Sequence, residues 1–142
     1  MPNKVSNFVV IFTPLSQVTD ILVTKHRCDQ HLTETSVFNL HRLFPEDFPS
    51  DDPSGCCSWD FETCMRTIGH RVNPALEVFS VDDATCLRFT TAWQPCLELL
   101  RAVYQKTGWK LHYRFIDPRS DSGTLLCDEG VCRLNLDEEQ GL

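Results

Sequence analysis

The residues best equipped for chemistry are eight cysteines (Cys28, Cys56, Cys57, Cys64, Cys86, Cys96, Cys127 and Cys132) and five histidines. Thiolate and imidazole are the donors that hold zinc. Two groupings bring them close along the chain: His26, Cys28 and His31, and then Cys56, Cys57, Cys64 and His70. Neither has the spacing of a structural zinc site, which sets two Cys-x2-4-Cys knuckles against each other, and the adjacent Cys56 and Cys57 point apart in extended backbone. No metal or cofactor is expected. Nucleophilic catalysis needs Ser or Cys beside a base, yet there is no nucleophile elbow, P-loop or Gly-rich phosphate cradle, and the six glycines are scattered. The expectation is a protein that is not an enzyme, with a Cys/His metal-binding or redox regulatory protein as the alternative. Cys127 and Cys132 flank a turn and are the pair best placed for a disulfide, but free thiols are expected in a chain long enough to support its own core. Cys86 and Cys96 sit in apolar patterns, where Cys acts as a small hydrophobe.

The elements that must position these groups follow from periodicity. The chain has 142 residues, 42% of them hydrophobic, enough for one domain with its own core. Asn7 to Pro14 (NFVVIFTP) is β-branched and aromatic and ends at a proline, which predicts a short, well-buried strand. Ser16 is a candidate N-cap for a helix over Gln17 to Lys25, with Val18, Ile21 and Leu22 at helical spacing. Cys28 to Ser36 reads as polar and irregular, Val37 to Leu43 alternates loosely, and Phe44 to Gly55 reads as a loop. A second helix is predicted over Trp59 to Ile68, stopped by Gly69. Ala75 to Val81 and Thr85 to Trp93 alternate about Asp82 and Asp83, an antiparallel hairpin. Pro95 opens a helix with Leu97, Leu100, Val103 and Tyr104 on one stripe, ending near Gly108. Trp109 to Ile116 alternates strictly, with Trp109, Leu111, Tyr113 and Phe115 on one face and Lys110, His112 and Arg114 on the other. Thr124 to Cys127 and Val131 to Leu134 read as a terminal hairpin.

This order predicts an α+β fold, a ferredoxin-like split β-α-β sandwich (β-α-β-β-α-β) with an inserted loop and helix and a C-terminal hairpin. Residues 1–136 form the single domain, with the insertion at about 28–73, and 137–142 form an acidic flexible tail. Three segments carry a family likeness. They are Met1, Pro2 and Asn3 with Asn7; Thr67 to Asn73 (TIGHRVN), with Gly69, Arg71 and Asn73; and Phe89 to Pro95 (FTTAWQP), with Thr91, Ala92, Trp93 and Pro95. In these the chain resembles a family of phage- and plasmid-borne small proteins carrying a ferredoxin-like domain, a name for topology that implies no iron-sulfur cluster. The resemblance implies the fold and a mobile-element origin and transfers no catalytic residue. Physically, Trp93 and Pro95 read as a packing corner between strand and helix.

Charge supplies the functional expectation. The net charge of −7 argues against a generic grip on nucleic-acid phosphates and leaves a basic partner open. Stacking of single-stranded RNA on the sheet would need exposed aromatics flanked by Lys or Arg, and the aromatics of the Lys110 to Arg114 strand lie on its other face. From Leu43 to Met65 the chain has Glu46, Asp47, Asp51, Asp52, Asp60 and Glu62 and no Lys or Arg. From Asp117 onward, Asp117, Asp121, Asp128, Glu129, Asp137, Glu138 and Glu139 face only Arg119 and Arg133. If the two segments fold side by side, their carboxylates form one negative surface, with Phe44, Phe48 and Trp59 as exposed anchors. The expected function is a non-enzymatic protein-binding factor of a phage or mobile element. It would inhibit a host nucleic-acid-binding defence complex by blocking its basic groove, as an anti-CRISPR protein does. Its partner is then a host protein complex, with no direct nucleic acid and no membrane, and its location the host cytoplasm.

Overall fold

The structure, a computed structural model, describes residues 4–26, 34–49, 61–70, 73–119 and 122–137. In chain order the elements are β1 (Lys4–Ile11), α1 (Leu15–Val18) running into a 3-10 turn (Thr19–Ile21), β2 (Leu22–His26), β3 (Glu34–Phe38), α2 (Leu40–Leu43) and α3 (Phe61–Thr67). They continue with β4 (Glu77–Val81), β5 (Ala84–Ala92), α4 (Leu97–Thr107), β6 (Leu111–Ile116), β7 (Gly123–Asp128) and β8 (Val131–Leu136). Six strands form one antiparallel sheet in the order β4-β5-β1-β6-β7-β8, and β2 pairs with β3 in a separate hairpin. The architecture is α+β, as the element pattern predicts.

Alternation decides which side chains enter the core. Val5, Val9 and Ile11 of β1, Leu87 and Phe89 of β5, Leu111, Tyr113 and Phe115 of β6, and Leu125 and Cys127 of β7 all point to one face and are buried. Leu99, Leu100 and Val103 of α4 cover that face, joined by Phe38, Leu40, Leu43, Phe48, Cys64 and Ile68 from the segment between β2 and β4. The predicted insertion is therefore part of the same core. Gly108 ends α4 in the left-handed conformation (φ 72°), its N–H donating to the Tyr104 carbonyl at 2.7 Å.

Four expectations need correction. The helix predicted over Gln17 to Lys25 is one α-turn and one 3-10 turn, and Ser16 caps nothing: Pro14 holds the N-cap position, with no side-chain cap bond. Val18, Ile21 and Leu22 fit a helical stripe, but the β-branched Val23 and Thr24 favour extended backbone and pair with Val37 and Ser36. Their partner strand begins at Glu34, inside the stretch read as irregular. The first strand is not buried on both sides, because Phe8 and Phe12 are 40% and 45% exposed. The fourth correction concerns Cys127 and Cys132, which form a disulfide. They are directly opposed in β7 and β8, one pair beyond the Glu129–Gly130 turn, with Cα atoms 4.1 Å apart. A two-residue turn makes that position a non-hydrogen-bonded pair, where facing side chains come closest.

Candidate interaction surface

Asn7 and the described residues of the other two segments that carry the family likeness meet in space, at the end of β5, while Met1, Pro2 and Asn3 lie outside the described residues. Asn7 is fully buried, and its amide donates to the carbonyls of Val5 (3.1 Å) and Phe89 (3.3 Å) and to the Thr91 hydroxyl (3.1 Å). The Thr91 hydroxyl in turn donates to the Gln94 carbonyl at 2.7 Å. Gln94 donates to the carbonyl of Gly69 at 2.5 Å, and the His70 Nε2 donates to that of Pro95 at 3.3 Å. Gly69 is left-handed (φ 76°), so the chain reverses there with its carbonyl free for Gln94. Asn73 fastens the next segment by donating to the Phe38 carbonyl at 2.7 Å. Arg71 lies outside the described residues.

From the other side, the buried Tyr113 hydroxyl donates to Asn7 Oδ1 and accepts the N–H of Cys96, the N-cap residue of α4, at 2.8 Å. Burial pushes the Cys96 thiol and the Tyr113 phenol up, so both remain protonated near neutral pH. This network joins β1, β5, β6 and α4. His70 is held below its ordinary value, first by desolvation, with the Pro95 hydrogen bond acting in the opposite sense. Because the folded state holds this imidazole neutral, its contribution is full above the unfolded value of about 6.5 and is lost as pH falls below it, levelling off once the folded form also protonates. Denaturation midpoints followed from pH 8 down to pH 5 should fall across that window, and His70→Gln should flatten the fall; an unchanged slope in the variant would assign it to other groups.

Trp93 departs from the packing-corner expectation. Its ring is 53% exposed and its backbone is left-handed (φ 73°), an uncommon state for a bulky residue. Arg119 holds this corner, with its guanidinium 5.1 Å from the ring centre and a hydrogen bond to the Trp93 carbonyl. Ala92 is exposed and Pro95 half-buried.

Four of the carboxylates counted toward one acidic patch have basic partners. Asp47 pairs with Arg66 at 2.9 Å, Asp128 with Lys110 at 3.9 Å, Asp137 with Arg114 at 2.8 Å, and the buried Asp117 with Arg119 at 3.4 Å. The hydrogen bonds from Arg114 hold the Asp137 carboxyl below its usual range. Glu46, Glu62 and Glu129 are exposed and make no ion pair among the described residues. Among those residues, no hydrogen bond or ion pair joins the two acidic segments. Asp51, Asp52, Trp59, Asp60, Glu138 and Glu139 lie outside them. Phe48 is no exposed anchor: it is 3% exposed within the core, and Phe44 is half-buried against it with ring centres 6.3 Å apart. Cys64 is buried, His70 is committed to Pro95, and among the described residues no three His, Cys, Asp or Glu side chains gather as metal ligands. Cys28, His31, Cys56 and Cys57 also lie outside the described residues.

A different surface emerges on the sheet face away from the helices. Register places its side chains in rows: Glu77, Arg88, Phe8, Arg114 and Thr124 across one, and Phe79, Cys86, Val10, His112 and Leu126 across the next. Phe8, Phe12, Phe79, Val81, Ile116 and Val131 are 40% to 49% exposed here, beside the half-buried Val10, Cys86 and Leu126. Three charge pairs on this face are matched, Glu77 with Arg88, Asp128 with Lys110 and Asp137 with Arg114, while Lys4 and Arg133 on the face and Asp82 and Asp83 at its β4–β5 corner are exposed and make no ion pair among the described residues. Phe12 is packed edge-on to His112 with centroids 4.8 Å apart and lies under the Lys110 ammonium at 4.9 Å. At one corner Val10, Phe12, Val81, Asp82, Asp83, Ala84 and Cys86 line a groove of about 510 Å³. The expectation that outward aromatics are lacking considered only the strand of Lys110 to Arg114; the neighbouring strands supply them. The run Phe8 to Phe12 held the signal, since its residues are apolar at both alternating sets of positions. Among the described residues no helix is long and apolar enough to cross a membrane.

Comparison of the chain with family models, curated proteins and solved structures returns no match.

Proposed function

We propose that this chain is a non-enzymatic, acidic protein-binding factor of phage or mobile-element origin, built on a ferredoxin-like scaffold. The strand order β4-β5-β1-β6, with α4 connecting the two neighbours of β1, supports that scaffold reading. The elements between β1 and β4 take the place of its first helix, and β7 and β8 extend the sheet beyond β6. The observation that carries the functional reading is where the charge excess resides. Glu77, Asp128 and Asp137 on the open sheet face have basic partners, whereas Glu46, Glu62 and Glu129, and Asp82 and Asp83 at the β4–β5 turn, are exposed and make no ion pair among the described residues; the sequence adds Asp51, Asp52, Asp60, Glu138 and Glu139 to a net charge of −7. Such a surface suits the Lys- and Arg-lined channel of a host defence complex, which it would occupy in the host cytoplasm and close to nucleic acid, as an anti-CRISPR inhibitor does.

The test is competition between this protein and nucleic acid for a purified CRISPR effector complex, repeated over a salt series. Inhibition should weaken steeply with salt and be abolished when Asp51, Asp52, Glu138 and Glu139 are all changed to Lys. Unchanged inhibition by that variant would remove the electrostatic mechanism, and no inhibition by the parent would remove this class of target.

A further inference from the structure

We infer that the Cys127–Cys132 pair is a redox-controlled clasp, a disulfide that a cellular dithiol opens in the folded protein to loosen β8 from the sheet. Among the described residues β8 is the outermost strand on its side, paired with β7. Every residue of β8 but Cys132 is exposed, and Cys132 is half-buried and packed against the core. Leu134 and Leu136 share its side of the sheet, yet they remain 39% and 50% exposed, so apolar burial does little to hold this strand. The backbone adds nothing at the cysteines themselves, because a non-hydrogen-bonded pair has no ladder bonds of its own. The strand's other ties lie at its two ends and are polar: the Gly130 N–H donates to the Tyr104 hydroxyl at 2.6 Å, and Asp137 pairs with Arg114 in an exposed ion pair. The disulfide is what fastens the body of β8.

Access to the two sulfurs is unequal, and that sets the order of the chemistry. Cys127 is fully buried, whereas Cys132 reaches the solvent side of the edge strand, so an incoming thiolate attacks the Cys132 Sγ. The S–S bond breaks, Cys127 leaves as a thiolate and takes up a proton, and the reductant is joined to Cys132 as a mixed disulfide. The second thiol of the reductant then displaces Cys132. Two electrons and two protons have passed from the dithiol, now itself a disulfide, to two cysteine thiols. The bond spans a sequence separation of 5, and loops that short restrict the unfolded chain least, so its loss is felt in the hairpin and not in the whole sheet. The step is reversible for a geometric reason. Glu129 and Gly130 are both left-handed (φ 51° and 81°), the turn that suits a two-residue hairpin, and it keeps the two cysteines facing each other for an oxidised dithiol to rejoin.

The full chain is equilibrated without denaturant in mixtures of reduced and oxidised dithiothreitol, then alkylated and mapped by peptide mass. Cys127 and Cys132 should pass together from bonded to labelled and return when the oxidised form is in excess, while the buried Cys64 and Cys96 stay unlabelled. Hydrogen exchange over residues 131–136 should be about tenfold faster in the reduced protein, with β1, β5 and β6 unchanged. Cys132→Ser supplies a form that cannot close, and it should show the fast exchange in every mixture. A pair that is reduced only in denaturant, or only together with labelling of Cys64 and Cys96, would overturn the inference. So would a pair that never oxidises, or a reduced protein whose exchange over 131–136 matches that of the oxidised one; these outcomes are read on the parent chain and stand even where Cys132→Ser fails to fold.

Discussion

Tyr113→Phe is expected to destabilise the protein by about 3 kcal/mol, far more than the loss of one oxygen atom suggests, because that oxygen serves two buried partners at once. The phenol donates to Asn7 Oδ1 and accepts the Cys96 N–H, and all three residues are inaccessible to water. Each orphaned group costs about 1–3 kcal/mol in a dry environment, so the amide oxygen and the α4 N-cap N–H together set the magnitude. For a domain of this size the melting temperature should fall by about 10 °C. Tyr104→Phe is the matched control. Its hydroxyl accepts the Gly130 N–H at 2.6 Å beside a turn that water can reach, so the loss there should be under about 1 kcal/mol. Urea denaturation of the three proteins checks both figures. Equal midpoints for the two variants would show that the Asn7 network does not hold α4 to the sheet.

Gly123→Ala should cost about 2–3 kcal/mol and part β7 from β8 at the end of the hairpin away from its turn. A methyl group there would lie 2.7 Å from the Asn135 carbonyl oxygen, 2.9 Å from the Phe115 ring and 3.1 Å from Leu136. The first of these is backbone in the neighbouring strand, so relief requires the strands to part. Hydrogen exchange should therefore accelerate over residues 123–136 before the rest of the sheet responds. Uniform acceleration would mean that the hairpin and the remaining sheet open as one unit. The Cys127–Cys132 bond joins β7 to β8 beside the Glu129–Gly130 turn, so it confines this separation to the far end of the hairpin.

Both sites show what local pattern reveals and what it hides. The strands of Ala84–Ala92 and Leu111–Ile116 were legible because alternate burial is a period-two property of the segment itself, and α4 because its stripe and Gly108 are local too. The first helix failed for the opposite reason: Leu22–His26 becomes a strand through its pairing with Glu34–Phe38, a partner no nearby spacing announces. Asn7 illustrates the same limit, since a polar residue within an apolar run shows its purpose only when Thr91 and Tyr113 arrive from distant strands. The face holding Phe8, Phe12 and Phe79 was legible in part, since Phe8 to Phe12 is apolar at both parities, but Phe79 joins it only through the pairing of β4 with β5 and of β5 with β1. Counting carboxylates along the chain says nothing of the bases that other elements bring beside them, as Arg66 beside Asp47 and Arg114 beside Asp137 show.

The position of β1 bears on how the molecule is made. This is the earliest of the described strands, yet it lies inside the sheet between β5 and β6, and Tyr113 reaches Asn7 across 106 positions. On a ribosome adding about 5–20 residues per second, its apolar residues emerge and then wait some seconds for both neighbours to follow. Closure of so long a loop also places this topology among the slower folders. During that interval the nascent Phe-Val-Val-Ile-Phe stretch has both edges unpaired, and it is the segment a chaperone would most usefully shield.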